Sequence, residues 1–251
     1  MLDLKRSEAS KIEEVSLKDL ERISQEAKKF QINLIVIGGY AVRAFTEPRS
    51  WRITKDIDFI TTRKDLTSLR GVFELLRYNF EKTDFGVKGS KKINNEFIEL
   101  HISVDKVIDW STDLEYMLPE DIFRKANKMS VKPYFEENKE IEVSVNIAPI
   151  EDVLIMKLMT ERRRDHFDAI AIILDIFEKF NVKRFWANSK QSNLDQHIKK
   201  RLNSFLADLK KGLVKKLWKE FTEREFIREQ EVTLKERINK LLDFKHTNYN
   251  F

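Results

Sequence analysis

The sequence predicts an α+β domain over residues 1–148 followed by an all-helical part over 149–251. Strands and helices interleave as far as Ile147, and only helical periodicity follows Pro149. Charge divides the chain as well. Between Asn181 and Phe251 there are 17 Lys+Arg against 9 Asp+Glu, an excess of eight cations in a chain whose net charge is +5, so residues 1–180 carry a net −3. At 251 residues the length suits one domain with a helical extension, or two small domains.

The elements follow in order. Residues 17–30 place Leu20, Ile23, Ala27 and Phe30 at helical spacing, with Ser16 as the expected N-cap. The apolar run Leu34–Ile37 reads as a buried strand, Gly38-Gly39 as a tight turn, and Tyr40–Phe45 as a helix closed by Glu47-Pro48. Asp56–Ile60 alternates polar and apolar residues, as a half-buried strand does. A helix is expected over 64–80, with Leu66, Leu69, Phe73, Leu76 and Phe80 inward, and turns at Gly86 and Gly89-Ser90. Glu96–Ile102 alternates again, and Pro119 opens an expected short helix to residue 128. Strands over about 129–135 and 140–147 flank the polar turn Glu136–Lys139 as a hairpin. Beyond Pro149 the pattern is helical to the C-terminus, with breaks near Asn181 and Gly212.

Composition excludes several classes. Hydrophobic residues at 41% are too many for a disordered chain, and charged residues at 35% too many for a membrane-spanning one. Every apolar run is far shorter than the roughly 18 residues of a membrane span. Residues 1–10 lack the apolar stretch of a signal peptide, so the expectation is a cytoplasmic protein without membrane association. With no cysteine and four histidines (His101, His166, His197 and His246), any metal site should be built from carboxylates.

The chemistry concentrates at Asp56-Ile57-Asp58. On a strand, residues two apart share a face, so both carboxylates are presented together with Ile57 and Phe59 behind them. Like charges that close repel unless a cation lies between them, and Mg2+ suits hard oxygen ligands combined with substrate phosphates. The Gly38-Gly39 turn between strand and helix offers free backbone N–H groups and a helix N-terminus to an anion such as phosphate. Each feature alone has a bland explanation. Within about twenty residues of each other they form a more specific combination.

These residues resemble a known superfamily. Ile37-Gly38-Gly39-Tyr40-Ala41-Val42, followed by Arg52-Ile53-Thr54-Lys55-Asp56-Ile57-Asp58-Phe59, is similar to the signature of the DNA polymerase β-type nucleotidyltransferases. Within that superfamily it looks most like the minimal prokaryotic members, including abortive-infection toxins of toxin–antitoxin systems. Pro149–Leu158, with Arg162-Arg163-Arg164-Asp165-His166-Phe167-Asp168, is similar to a downstream element of the same group. The resemblance covers about residues 33–175. Sixteen residues separate Gly39 from Asp56, a longer spacing than in many members, which is accommodated by a loop around Glu47–Trp51.

The resemblance implies a nucleotidyltransferase-type mixed sheet with flanking helices. It implies transfer of a nucleoside monophosphate from an NTP to a hydroxyl acceptor with magnesium, Asp56 and Asp58 being both catalytic and metal-binding. Gly38 and Gly39 would hold the phosphates. A third carboxylate on a later strand is expected, with Glu99 chosen and His101, on the same strand face, as the alternative. If one helix runs unbroken from Lys157, Arg164 and Asp168 fall within about 20° of its face, Asp165 sits at the edge, and Arg162 points away. Lys157, Arg164 and Asp168 are then nucleotide-binding candidates, and a solvent-exposed salt-bridge face is the competing explanation.

His166 reads as a surface histidine, and Phe45, Trp110 and Trp186 as core aromatics. Trp51 is a candidate for substrate contact, because it lies in the loop before the carboxylates. Residues 199–219 hold eight Lys and Arg with Asp208 as the only acid, which suits either an RNA acceptor (tRNA included) or a solvated helix face. A protein or small-molecule acceptor stays open. So do an antitoxin partner and a non-catalytic, nucleic-acid- or protein-binding member of the same fold.

Overall fold

A computed structural model describes residues 2–244; His246 and the end of the expected helical run lie outside them. Among the described residues two compact units are present: the first comprises residues 2–44, 52–108 and 117–149, and the second comprises 45–51, 109–116 and 150–244.

The first unit is built on a seven-stranded mixed sheet. Its elements are α1 (Leu2–Lys29), β1 (Leu34–Ile37), α2 (Gly38–Phe45), β2 (Ile57–Thr61), α3 (Arg63–Leu66), α4 (Leu69–Leu75), β3 (Asn79–Thr83), β4 (Gly86–Ile93) and β5 (Glu96–Val104). A two-stranded ribbon, β6 (Lys106–Asp109) and β7 (Leu114–Met117), carries the chain out and back, and β8 (Asn127–Val131) and β9 (Val143–Ile147) complete the sheet. The strand order is β3-β4-β5-β2-β1-β9-β8. Parallel pairing occurs between β1 and β9 and between β2 and β5, and the other pairs are antiparallel. One face of this sheet is apolar, with Val36, Ile57, Phe59, Ile98, Leu100, Ile102, Val145 and Ile147 all buried. Helices α1 and α4 pack in this unit through Leu17, Leu20, Ile23, Leu69, Val72 and Phe73.

Several expectations give way to tertiary effects. Ser16 is not a cap but lies inside a 28-residue helix, since neither Gly nor Pro interrupts residues 2–29. Phe30 falls past the helix end, where Gln31 turns left-handed (φ 55°), and is exposed rather than inward. The helix expected over 64–80 splits into α3 and α4. It stops where Arg77 adopts φ 59° and the Tyr78 N–H returns to the Phe73 carbonyl, which releases Asn79–Thr83 as strand β3. Gly86 and Gly89 do not form turns. They belong to β4, where a Cβ on Gly86 would meet the Ile102 carbonyl oxygen at 1.8 Å, so the close approach of β4 to β5 requires glycine. Residues 119–128 form turns instead of a helix, and β8 begins within them. The β8–β9 hairpin forms, with Met129 opposite Val145, but its strands are shorter than expected and its connection runs over 132–142 rather than the four-residue turn 136–139.

The second unit is helical: α5 (Ile150–Leu158), α6 (Arg163–Ile176), α7 (Val182–Gln191), α8 (Asp195–Lys210), α9 (Leu213–Thr222) and α10 (Arg228–Leu242). Phe167, Phe185, Trp186, Leu202, Trp218 and Ile238 form its core. Both expected breaks occur. Asn181 caps α7 by accepting from the Arg184 N–H, and Gly212 (φ 69°) precedes α9. Further breaks at 159–162, Asn193 and Glu223 carried no glycine or proline to mark them. Among the described residues, no helix is long and apolar enough to cross a membrane.

Candidate active site

In the first unit the site grows from two strands and a turn. β1 delivers the chain to Gly38, whose φ of 70° opens α2. Antiparallel pairing sets Ile37 opposite Asp58, and that pairing presses the Asp58 carboxylate onto the turn: a Cβ on Gly38 would lie 2.0 Å from Asp58 Oδ2. Gly39 is confined similarly, with Thr54 Oγ1 at 2.6 Å from its would-be Cβ. Both glycines therefore exist here to let polar groups approach the backbone at a helix N-terminus.

Parallel pairing places His101 beside Asp58, and antiparallel pairing places Lys88 beside His101. Side chains in one such row share a face, which produces a string of charges across the sheet. His101 Nδ1 is 3.2 Å from Asp58 Oδ1, His101 Nε2 is 3.7 Å from Glu99 Oε2, and Lys88 Nζ is 3.3 Å from Glu99 Oε1. An ionised carboxylate only accepts, so Nδ1 carries the proton toward Asp58. That hydrogen bond raises the His101 pKa above its ordinary value against the opposing effect of burial, with the Asp58 and Glu99 charges adding to the rise. Sequence reasoning treated Glu99 and His101 as alternatives. The structure brings them together, and adds Lys88, which no local pattern marked.

Asp56 sits one residue before β2, at the end of the Arg52–Lys55 loop, so only Asp58 of the pair is a strand residue. Both aspartates are half-buried. Among the described residues, no group of three or more His, Asp or Glu is arranged to hold a metal ion. The two aspartates offer hard oxygen donors, and Mg2+ is typically held by one or two carboxylates with substrate phosphates supplying the rest.

The second unit holds a separate cluster of charge. The expected continuous helix is interrupted at 159–162, which invalidates the phase arithmetic: Arg164 is exposed, whereas Lys157 is buried. The break folds α6 back so that Lys157 Nζ reaches Asp165 Oδ1 at 2.7 Å and Asp168 Oδ2 at 2.8 Å. Asp165, expected at the edge, is thus a direct partner. Arg162, expected to point away, closes the cluster at 2.7 Å from Asp165 Oδ2, and the Thr160 hydroxyl donates to the same oxygen at 3.1 Å.

The remaining candidates also find their places. His166 is half-buried rather than on the surface, its Nε2 3.1 Å from the Thr160 carbonyl and its ring edge-on to Phe205. Burial, followed by the Arg201 charge, lowers its pKa. Trp51 donates its indole N–H to the Thr46 carbonyl, Trp186 is core, and Trp110 is 73% exposed where a core position was expected.

No curated protein matches the sequence. Solved structures do: a solution structure of the antibiotic-resistance factor ANT(2'')-Ia has 13% identity and a TM-score of 0.41 over 78% of this chain and 95% of that one. A crystal structure of ANT(2'')-Ia in complex with adenylyl-2''-tobramycin has 13% identity and a TM-score of 0.37 over 75% of this chain and 98% of that one. A sequence profile described as nucleotidyl transferase AbiEii toxin, type IV TA (toxin–antitoxin) system, matches residues 19–248, about nine-tenths of the length and parts of both units. The chain belongs to the AbiEii nucleotidyltransferase toxin family.

Proposed function

We propose that the protein transfers a nucleoside monophosphate from an NTP to a hydroxyl acceptor. The observation that carries this reading is the seating of the Asp58 carboxylate on the Gly38 turn, where even a methyl group has no room. Such a turn offers backbone N–H groups and a helix dipole to phosphate oxygens, next to carboxylates able to hold a cation. Asp56 and Asp58 would hold Mg2+, which when bound neutralises charge on the nucleotide phosphates.

The chain's own groups account for the rest. Gly38 and Gly39 bind the phosphates through their backbone. Glu99 takes the proton of the acceptor hydroxyl, whose oxygen forms a bond to the α-phosphorus as the bond to pyrophosphate breaks. His101, between Asp58 and Glu99, holds both carboxylates in orientation. In the second unit the candidates Lys157, Arg164 and Asp168 divide, and of the three only Arg164 is exposed to a ligand. Arg164 is an exposed cation for phosphate oxygens, and Asp168 with Asp165 fixes Lys157.

For the acceptor, the basic helices favour RNA, tRNA included, over a protein. The exposed residues Lys200, Lys210, Lys211, Lys215 and Lys216 are suited to a phosphate backbone. Family membership supports an antitoxin as protein partner. The test is incubation with each α-labelled NTP, Mg2+, and total cellular RNA and protein. Label is expected in RNA, and Asp58→Asn is expected to abolish its transfer. Metal-coupled NTP binding without any labelled product would instead identify a non-catalytic binding member of the fold.

A further inference from the structure

The loop leading to the two aspartates is held from beneath by side chains that the proposed chemistry does not use. Four residues, Arg52 to Lys55, run directly into Asp56. All four of their carbonyls are bound by side chains, that of Ile53 by Arg52 within the loop and the other three from helices α1 and α2. Ser16 Oγ donates to the Lys55 carbonyl at 2.6 Å. Tyr40 shares its single phenolic proton between Ser16 Oγ at 2.8 Å and the Thr54 carbonyl at 3.2 Å. Arg43 donates through NH2 to the Arg52 carbonyl at 3.0 Å. Arg43 is itself fixed by a buried ion pair, NH1 to Glu13 Oε1 at 2.7 Å, and Glu13 also accepts from the Tyr134 and Phe135 N–H groups. Ser16, Glu13 and Tyr40 are wholly buried, and Arg43 is nearly so.

This arrangement is an unfavourable way to obtain stability alone. A serine in mid-helix is a poorer helix former than alanine, and a buried tyrosine hydroxyl must be bonded or it destabilises. A buried Arg–Glu pair is often no better than apolar residues of the same volume. What the polar cluster gains is a fixed backbone. Surface loops usually leave their carbonyls to water, yet this one is gripped from α1 and α2 at three points, while Thr54 packs on Gly39 from the other side. Its geometry is transmitted one residue further, to Asp56, and three residues further, to Asp58.

We infer that Ser16, Tyr40 and Arg43 are positioning residues: by capturing the loop carbonyls they set the aspartates for a metal-bound nucleotide. This rests on the reading of Asp56 and Asp58 given above. Ser16→Ala is the primary variant, because alanine favours the helix and removes both the Lys55 contact and the acceptor for Tyr40. Tyr40→Phe is the second. Each is titrated calorimetrically with a non-hydrolysable NTP analogue, with and without Mn2+ as the metal probe, and its melting temperature is measured.

The expected result for Ser16→Ala is metal-coupled nucleotide binding weakened about three- to tenfold, the value of one or two hydrogen bonds. Its metal-free binding should be unchanged and its melting temperature within about 3 °C of the parent. Parent-like coupled affinity in Ser16→Ala overturns the inference. So does a loss of affinity that only follows a fall in melting temperature, which marks a merely structural role. If Tyr40→Phe fails to fold, Ser16→Ala decides alone. If the parent itself shows no metal-coupled binding, the nucleotidyl-transfer reading fails, and the inference fails with it for a separate and visible reason.

Discussion

Two clusters of charge, one in each unit, are held in opposite ways. In the first, Asp58, His101 and Glu99 keep 29%, 40% and 42% of their side chains in solvent, on one face of the sheet. In the second, Lys157, Asp165 and Asp168 keep 9%, 1% and 2%, and their bonds turn inward on one another. Half-exposed carboxylates can exchange water for a cation or a hydroxyl at little cost. Buried, mutually paired ones cannot be separated without leaving a charge uncompensated in a poorly polarisable interior. The first cluster is therefore the one that suits the proposed ligand site. The second holds the joint between α5 and α6 and leaves Arg164 exposed outside it.

The largest test of this contrast is a pair of substitutions. Lys157→Met strands Asp165 and Asp168 with one cation fewer, and is expected to destabilise the protein by about 3–5 kcal/mol in urea unfolding. Asp58→Asn removes one of several like charges from a partly solvated face, and is expected to change stability by no more than about 1 kcal/mol while nucleotidyl transfer disappears. Equal effects of the two on stability would erase the distinction between the clusters.

A smaller effect resolves the first cluster itself. Glu99→Gln is expected to lower turnover by about a hundredfold or more, with nucleotide affinity unchanged, because a general base is lost and the phosphate turn is not. His101→Gln keeps a hydrogen-bonding side chain between the two carboxylates but gives up the ring that spans them. Its expected loss is nearer tenfold, consistent with orientation rather than proton transfer. Single-turnover kinetics on both variants decide the matter, and a larger loss at His101 transfers the role of base to it.

Much of the first unit could be read locally. Leu34–Ile37 ending in two glycines, the alternation through Asp58 and the alternation through Glu99 and His101 each lie within one short window, where side-chain period alone selects a strand. The β8–β9 hairpin was legible for the same reason. What escaped depends on partners distant in the chain. Ser16 looks like a cap because it precedes an amphipathic run, and its burial is explained by the Lys55 carbonyl 39 residues away together with the Tyr40 hydroxyl 24 residues away. Arg77 ends a helix in a left-handed conformation with no residue-type signal, whereas Asn193, of a type that favours that conformation, was a signal that went unread. The Lys157 cluster was placed on one face by counting along a helix that stops at Leu158. The residues that meet there, Asp165 and Arg162, are those the counting set aside.

The smallest expected effect concerns pH, and it belongs to the second unit. His166 and His197 stand close to the α5–α6 joint, and burial, then the Arg201 charge, lowers the pKa of each below its ordinary value. Arg201 also donates to the Thr160 carbonyl at 3.2 Å. The Glu161 carboxylate and, for His166, Asp165 oppose the shift without reversing it. Above an unfolded-state pKa of about 6.5 both histidines are neutral whether or not the chain is folded, so they impose no penalty there. As the pH falls through that value the unfolded chain takes up protons first, and stability declines until the folded-state pKa values are passed. The urea midpoint should therefore fall between pH 7.5 and about pH 5. His101, whose pKa is raised, contributes with the opposite sign, so the parent profile alone is a sum of the two. In the His166→Gln, His197→Gln double variant the second unit's share vanishes, and its midpoint should decline less over that range than the parent's. An identical decline would assign the acid sensitivity to the carboxylates instead, and would leave the joint held by its ion pairs alone.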